Sequence, residues 1–308
     1  MSAPPTRPAR PRLVPQAGPA AWRAADLRTA DWMIPLGAEE AAEIEAALDA
    51  LAGRAPAAPE EVPLPRLGPV LRQVAGRLDS GQGVCLLRGL PIERFAAGGP
   101  GDGREEGVLQ VLGAHLGRPV APLQAVAGNA PEGARARFHA EGADIVALLT
   151  LRQPPQPEPA ELIAAATVHN EMMKRDRAAL ETLHAPLPHL PGDEAGPAVE
   201  LPVFTSASGA FIGRYARDAI EAAQRLAQTP RLSAAQVAAL DLLDTICAEP
   251  GLALRIELRP GDVLLYNPLQ VWKRRAEAGA AAGREALRLL LVTPNSRALP
   301  GGMAALGG

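Results

Sequence analysis

The feature that most constrains the fold is where the strand-like runs fall along the chain. Short apolar runs stand at 83–87, 145–151 and 162–166, and four more crowd the end of the chain, at 252–258, 262–266, 269–272 and 286–293. The helical patterns are grouped outside these clusters rather than alternating with them one for one. A doubly wound parallel sheet needs strand and helix in turn, so this order argues for an α+β protein built on a pair of antiparallel sheets. The hairpin-like segment 203–213, with Ser206-Ala-Ser-Gly209 between two apolar runs, points the same way.

Helical spacing of apolar residues predicts helices over 38–52, 67–78, 105–116, 168–183, 218–227 and 234–248. The last begins with Ser233-Ala-Ala-Gln236, a capping-box pattern. Residues 1–19 are rich in Pro and Arg without an apolar stretch, which reads as a disordered tail rather than a secretory signal. Residues 20–300 are expected to form one domain, with 301–308 as a flexible tail. The net charge of −3 gives no broad basic surface for nucleic acid, and no apolar run has the length of a membrane span. Cys85 and Cys247 form no disulfide or metal spacing and read as small buried hydrophobes, so a reduced, cytoplasmic setting is expected.

The chain has five histidines, His115, His139, His169, His184 and His189. The one local pair with metal-ligand chemistry is His139-Ala140-Glu141. On a strand, residues two apart share a face, so an imidazole and a carboxylate converge. That is two-thirds of the 2-His-1-carboxylate set of non-haem iron. His-x-Glu is also common by chance, as a surface pair at a strand start. His169 and Asn170 read as a helix start, His184 and His189 as exposed residues of a Pro-rich loop, and Arg274-Arg275 as a solvated basic run.

Motifs in order along the chain carry a resemblance. Gly83-Val-Cys-Leu-Leu-Arg-Gly-Leu-Pro91, Leu116-Gly-Arg-Pro119, Phe138-His-Ala-Glu-Gly-Ala-Asp144, Val168-His-Asn-Glu-Met172, Pro202-Val-Phe204, Arg214-Tyr215 with Arg217, and Pro260-Gly-Asp-Val-Leu-Leu265 together resemble the TauD/TfdA-like family of iron(II)/2-oxoglutarate oxygenases over about residues 20–300. The resemblance implies a double-stranded β-helix, or jelly roll, with external helices. It implies that His139 and Glu141 are iron ligands and that Arg288 grips the distal carboxylate of 2-oxoglutarate, which an Arg fork suits. The distal histidine of the family falls in the run Gly261-Asp-Val-Leu-Leu-Tyr-Asn-Pro-Leu-Gln-Val-Trp-Lys-Arg-Arg275. Aligned without a gap, that position is Lys273, and a one-residue slip would make it Trp272; no histidine follows His189. The family's hydroxyl contact to 2-oxoglutarate reads Leu162, and the stretch between Pro122 and Phe138, which in relatives forms part of the pocket and lid, is short.

A protonated lysine repels a metal, and without iron Glu141 would be a buried anion, which is costly. Lys273 is therefore expected to pair with Glu141 in place of the iron. Lysine is rare here: of 31 basic residues only Lys174 and Lys273 are lysine. The leading expectation is a metal-free enzyme acting on a small anionic substrate. Lys273, His139 and Glu141 would supply acid–base or Schiff-base chemistry, with Arg288, Arg214 and Trp272 lining the substrate site and no cofactor. Two alternatives stand beside it: a catalytically silent partner of an active paralogue, and a residual oxygenase using Fe(II) and 2-oxoglutarate on His139 and Glu141; a homo-oligomer is the other assembly expected of the chain.

Overall fold

The computed structural model describes residues 13–95, 103–127, 137–190, 197–207, 209–274 and 283–296. The strands are β1 (Met33–Pro35), β2 (Val84–Arg88), β3 (Arg118–Pro119), β4 (Gln124–Ala127), β5 (Phe138–His139), β6 (Ile145–Arg152), β7 (Ala160–Ala164), β8 (Leu187–His189), β9 (Val199–Leu201), β10 (Phe204–Ala207), β11 (Ala210–Gly213), β12 (Leu254–Ile256), β13 (Val263–Tyr266), β14 (Val271–Arg274) and β15 (Glu285–Val292). The helices are α1 (Thr29–Trp32), α2 (Ala38–Leu51), α3 (Leu67–Asp79), α4 (Ile92–Phe95), α5 (Arg104–Ala114), α6 (Ala165–Arg175), α7 (Arg177–His184), α8 (Arg217–Ala223) and α9 (Ala234–Cys247).

Two sheets make the core of the jelly roll. The larger runs β1-β2-β13-β6-β15-β3, with β4 also on β15; the smaller runs β12-β7-β14-β5. Apart from the parallel β1–β2 pair, every pairing in the two sheets is antiparallel. The strands read as unbroken apolar runs because both faces are covered. In β13, Val263 and Leu265 pack outward under Leu48, Leu71 and Val108 of α2, α3 and α5, while Leu264 and Tyr266 face the interior between the sheets. In β7 and β14, Leu162 and Val271 face that interior, and Ile163 and Trp272 face outward into a layer with α6, α7 and α9. The result is helix, sheet, sheet, helix.

Local chemistry sets the joints. The predicted helix over 168–183 is two helices, broken at Asp176. Its backbone is extended (φ −151°) and its carboxylate accepts from Ala178 N and Ala179 N, capping α7. The turn into β13 requires Gly261: its φ is +84° and a Cβ there would meet Leu90 O at 1.9 Å.

Two expectations need correction. His169 and Asn170 lie inside α6, not at its start. The tail assigned to 1–19 is docked in part: Leu13 packs on the α6–α9 layer, and Gln16 exchanges two 2.7 Å hydrogen bonds with Asn170. Residues 1–12 and 297–308 lie outside the described residues.

Candidate active site

Strand register places the candidate residues. In β14, Lys273 pairs with His139 of β5 on one side and with Leu162 of β7 on the other. Paired residues project to the same face of a sheet, so His139, Lys273 and Leu162 form one row on the inner face of the smaller sheet. This resolves the choice between Lys273 and Trp272. The tryptophan points the opposite way, is fully buried against Phe204 and Tyr215, and donates its indole N–H to Gly213 O at 3.0 Å. Trp272 therefore packs the outer layer and does not line the inner row where a substrate contact was expected of it.

Arg288 reaches the same interior from the larger sheet, on the face of β15 that carries Leu290. Its Nη1 donates to Glu141 Oε2 at 2.6 Å, and its Nε and Nη2 both reach Gln124 Oε1 of β4. The other oxygen of Glu141, Oε1, accepts from the hydroxyl of Tyr266 at 2.6 Å. The Glu141 side chain is 9% exposed, that of Arg288 23%. Burial, with the neighbouring Glu141 charge and hydrogen bond, pushes the Tyr266 hydroxyl well above its ordinary range, so it stays a donor. Arg288 is thus a cation set on Glu141, a pairing the sequence did not predict. The physical reason is geometric: β15 aims a long guanidinium fork across the interior, and it satisfies a carboxylate oxygen and an amide oxygen at once.

His139 Nδ1 lies 3.4 Å from Arg137 O. That contact favours the tautomer with the proton on Nδ1, leaving Nε2 as an acceptor. His139 and Glu141 are the two side chains of metal-ligating type at the row. Among the described residues, no three of His, Cys, Asp and Glu gather in a way that would hold a metal ion.

Other expected residues fall elsewhere. Arg214 follows β11, between Gly213 and Tyr215, which both face Trp272. Arg214 therefore points away from Trp272 and is 2% exposed. His189, expected in an exposed loop, is fully buried in β8, with Nδ1 2.8 Å from Leu187 O. His184 is half-buried, and its Nε2 lies 3.2 Å from Nε2 of His169 in a cluster with Phe204 and Phe211. Arg274 is on the outer face, bonded to Glu161 at 2.9 Å, and Arg275 lies outside the described residues. Two residues of the network, Tyr266 and Gln124, were missed in the sequence. A polar residue at an inward position of β13, two after Leu264, was the available signal for Tyr266; Gln124 carries none.

The comparisons agree with this architecture. A family model described as taurine catabolism dioxygenase TauD, TfdA family, matches residues 47–290. A solved asparagine oxygenase, in complex with Fe(II), 2S,3S-3-hydroxyasparagine and succinate, is 22% identical with a TM-score of 0.65, over 90% of this chain and 99% of that one. The non-haem iron oxygenase OrfP, in complex with Fe, succinate and (3R,4R)-dihydroxy-L-Arg, is 17% identical with a TM-score of 0.61, over 90% and 99%. Identities this low carry the fold alone. No curated protein matches the sequence. The family match begins within α2, ends within β15 and takes in His139, Glu141, Lys273 and Arg288, so the chain belongs to the TauD/TfdA family.

Proposed function

We propose that this member of an iron(II)/2-oxoglutarate oxygenase superfamily has replaced the metal with an internal charge network, and uses the jelly-roll interior for metal-free chemistry on a small anionic substrate. One observation carries the reading. Both oxygens of Glu141 are taken, one by Arg288 and one by Tyr266. The residues at the row do not fit a 2-His-1-carboxylate set: the third corner is Lys273, which cannot ligate while protonated. Arg288, the residue the family resemblance assigns to 2-oxoglutarate, is engaged by Glu141 and Gln124, and Leu162 offers no hydrogen bond.

The chemistry left to the chain's own residues is acid–base and nucleophilic. An incoming carboxylate competes with Glu141 for the Arg288 fork, which binds and orients the substrate. His139 Nε2 accepts a proton from the inner face. Lys273, beside it in register, is the side chain able to act as a general base or, with a carbonyl substrate, to form an imine with release of water. A second reading, a residual iron-dependent oxygenase, is favoured by one observation: His139, Glu141 and Arg288 all face one interior. The silent-partner alternative has no such observation.

Anaerobic titration with Fe(II) and 2-oxoglutarate tests the proposal. The wild-type chain is expected to retain no stoichiometric iron and, once O2 is admitted, to release no succinate from 2-oxoglutarate. Lys273→His, which supplies the third ligand, is expected to bind more Fe(II) than wild type. One iron per wild-type chain with micromolar 2-oxoglutarate affinity would overturn the metal-free reading in favour of the oxygenase.

A further inference from the structure

Arg214 is a buried cation whose Nε has no hydrogen-bond partner, and no salt bridge is found for it among the described residues. Several other partly buried arginines here are ion-paired. Arg88 is held by Asp262, Arg137 by Asp218 and Glu221, and Arg217 by Glu221, Asp241 and Asp244. Arg214 is buried more deeply than any of these, yet nothing offsets its desolvation, which brings its guanidinium down to about 10. Burying an unpaired charge is among the costliest things a fold can do. The β8–β9 pair brings His189 towards it: His189 stands opposite Val199, which packs with Ile212, two residues before Arg214. His189, also fully buried, feels the repulsion of Arg214, and its Nε2 likewise has no partner.

The surroundings of the pair have a definite character. Arg214 shares its face of the chain with Ile212, which packs with Leu201 and Leu269. The Arg214 N–H is used by Val203 O, and the next residue, Tyr215, accepts from Ala140 N at 2.7 Å, which ties the segment to the strand carrying His139. A fork-shaped donor, an imidazole nitrogen beside it and an apolar flank match one ligand chemistry: a carboxylate on a small molecule with a modest apolar body.

We propose that Arg214 and His189 form a carboxylate-binding site between the end of β11 and the β8–β9 pair. The bound carboxylate takes the guanidinium of Arg214, and His189 completes the seat. The site does not depend on the metal-free reading, since an iron oxygenase would present the same buried arginine.

The test is thermal denaturation of the full chain at constant ionic strength, with chloride replaced stepwise by acetate, or by inorganic phosphate in a parallel series. Wild type is expected to show a saturable rise in Tm with acetate. Arg214→Met is expected to lose the saturable part, while Arg214→Lys keeps a weaker one. In chloride alone, Arg214→Met is expected to be at least as stable as wild type, because no partner is lost; a purely structural arginine would leave it clearly less stable. Saturation with phosphate but not acetate would overturn the carboxylate assignment, and identical acetate curves for wild type and Arg214→Met would overturn the site. The sequence also places Asp193 and Glu194, outside the described residues, shortly after His189. Loss of wild-type stability in Asp193→Asn/Glu194→Gln, with no acetate response in wild type, would show an internal anion instead and end the proposal.

Discussion

Replacing Arg288 with methionine is expected to destabilise the fold by about 3 kcal/mol, and replacing Glu141 with glutamine in the same chain is expected to recover most of that loss. The asymmetry of the pair sets the direction. Glu141 is the more buried partner, so removing Arg288 strands a carboxylate with one donor left, the Tyr266 hydroxyl. Removing Glu141 alone strands a guanidinium that is 23% exposed and still has Gln124, so Glu141→Gln is expected to cost less. Urea denaturation of the two single variants and the double gives the coupling energy, which is expected at about 2 kcal/mol for a pair of this burial. A matching cycle between Glu141 and Lys273 is expected to give the smaller coupling. If the larger coupling fell on Lys273, the lysine would be the cation that neutralises the site, as the sequence suggested. Tyr266→Phe removes the remaining donor and is expected to cost about 1–3 kcal/mol as a hydrogen bond to a charged acceptor.

Much of the fold was legible because its signals are local. The run Val263-Leu-Leu-Tyr266 is apolar throughout, as a strand buried on both faces has to be, and Ser233 with Gln236 announces the start of α9 through its own backbone hydrogen bonds. The positions of His139 and Lys273 were legible too, since a gapless motif carried them into register. What could not be read was the choice of partner. Lys273, Arg288 and Tyr266 all lie far from Glu141 in sequence, and which of them reaches it depends on the separation of two sheets and the lengths of side chains crossing between them. The same limit explains His189. A histidine between prolines and a loop looks solvated, and only the pairing of β8 with β9 and the packing of α8 on β8 bury it. Arg214 was expected among the substrate-lining residues; that it would be buried with no partner for its Nε had no local signal.

Acid is expected to destabilise this protein well before its carboxylates titrate. His169 and His189 are both brought down to about 4, chiefly by burial, with His184 beside the first and Arg214 beside the second adding repulsion. In the unfolded chain both return to about 6.5. As pH falls below that value, the unfolded state takes up two protons that the folded state refuses, so stability falls with pH and the full loss is reached only near 4. The slope approaches about 1.4 kcal/mol per pH unit for each histidine once the pH is well below 6.5, so between pH 6.5 and 5 the two together remove roughly 3 kcal/mol. Ordinary carboxylates titrate lower, which leaves this window to the histidines. Denaturant unfolding at pH 7 and pH 5 in chloride buffer checks the slope, and NMR of the ring protons checks its origin: neither ring is expected to titrate above pH 5. Flat stability across the window, or rings titrating near 6.5, would show that the two sites are open to water. His189 adds an internal control. A carboxylate seated on Arg214 cancels the repulsion that helps keep His189 neutral, so saturating acetate is expected to raise the His189 midpoint while leaving that of His169, held in the cluster of Phe204 and Phe211, where it was.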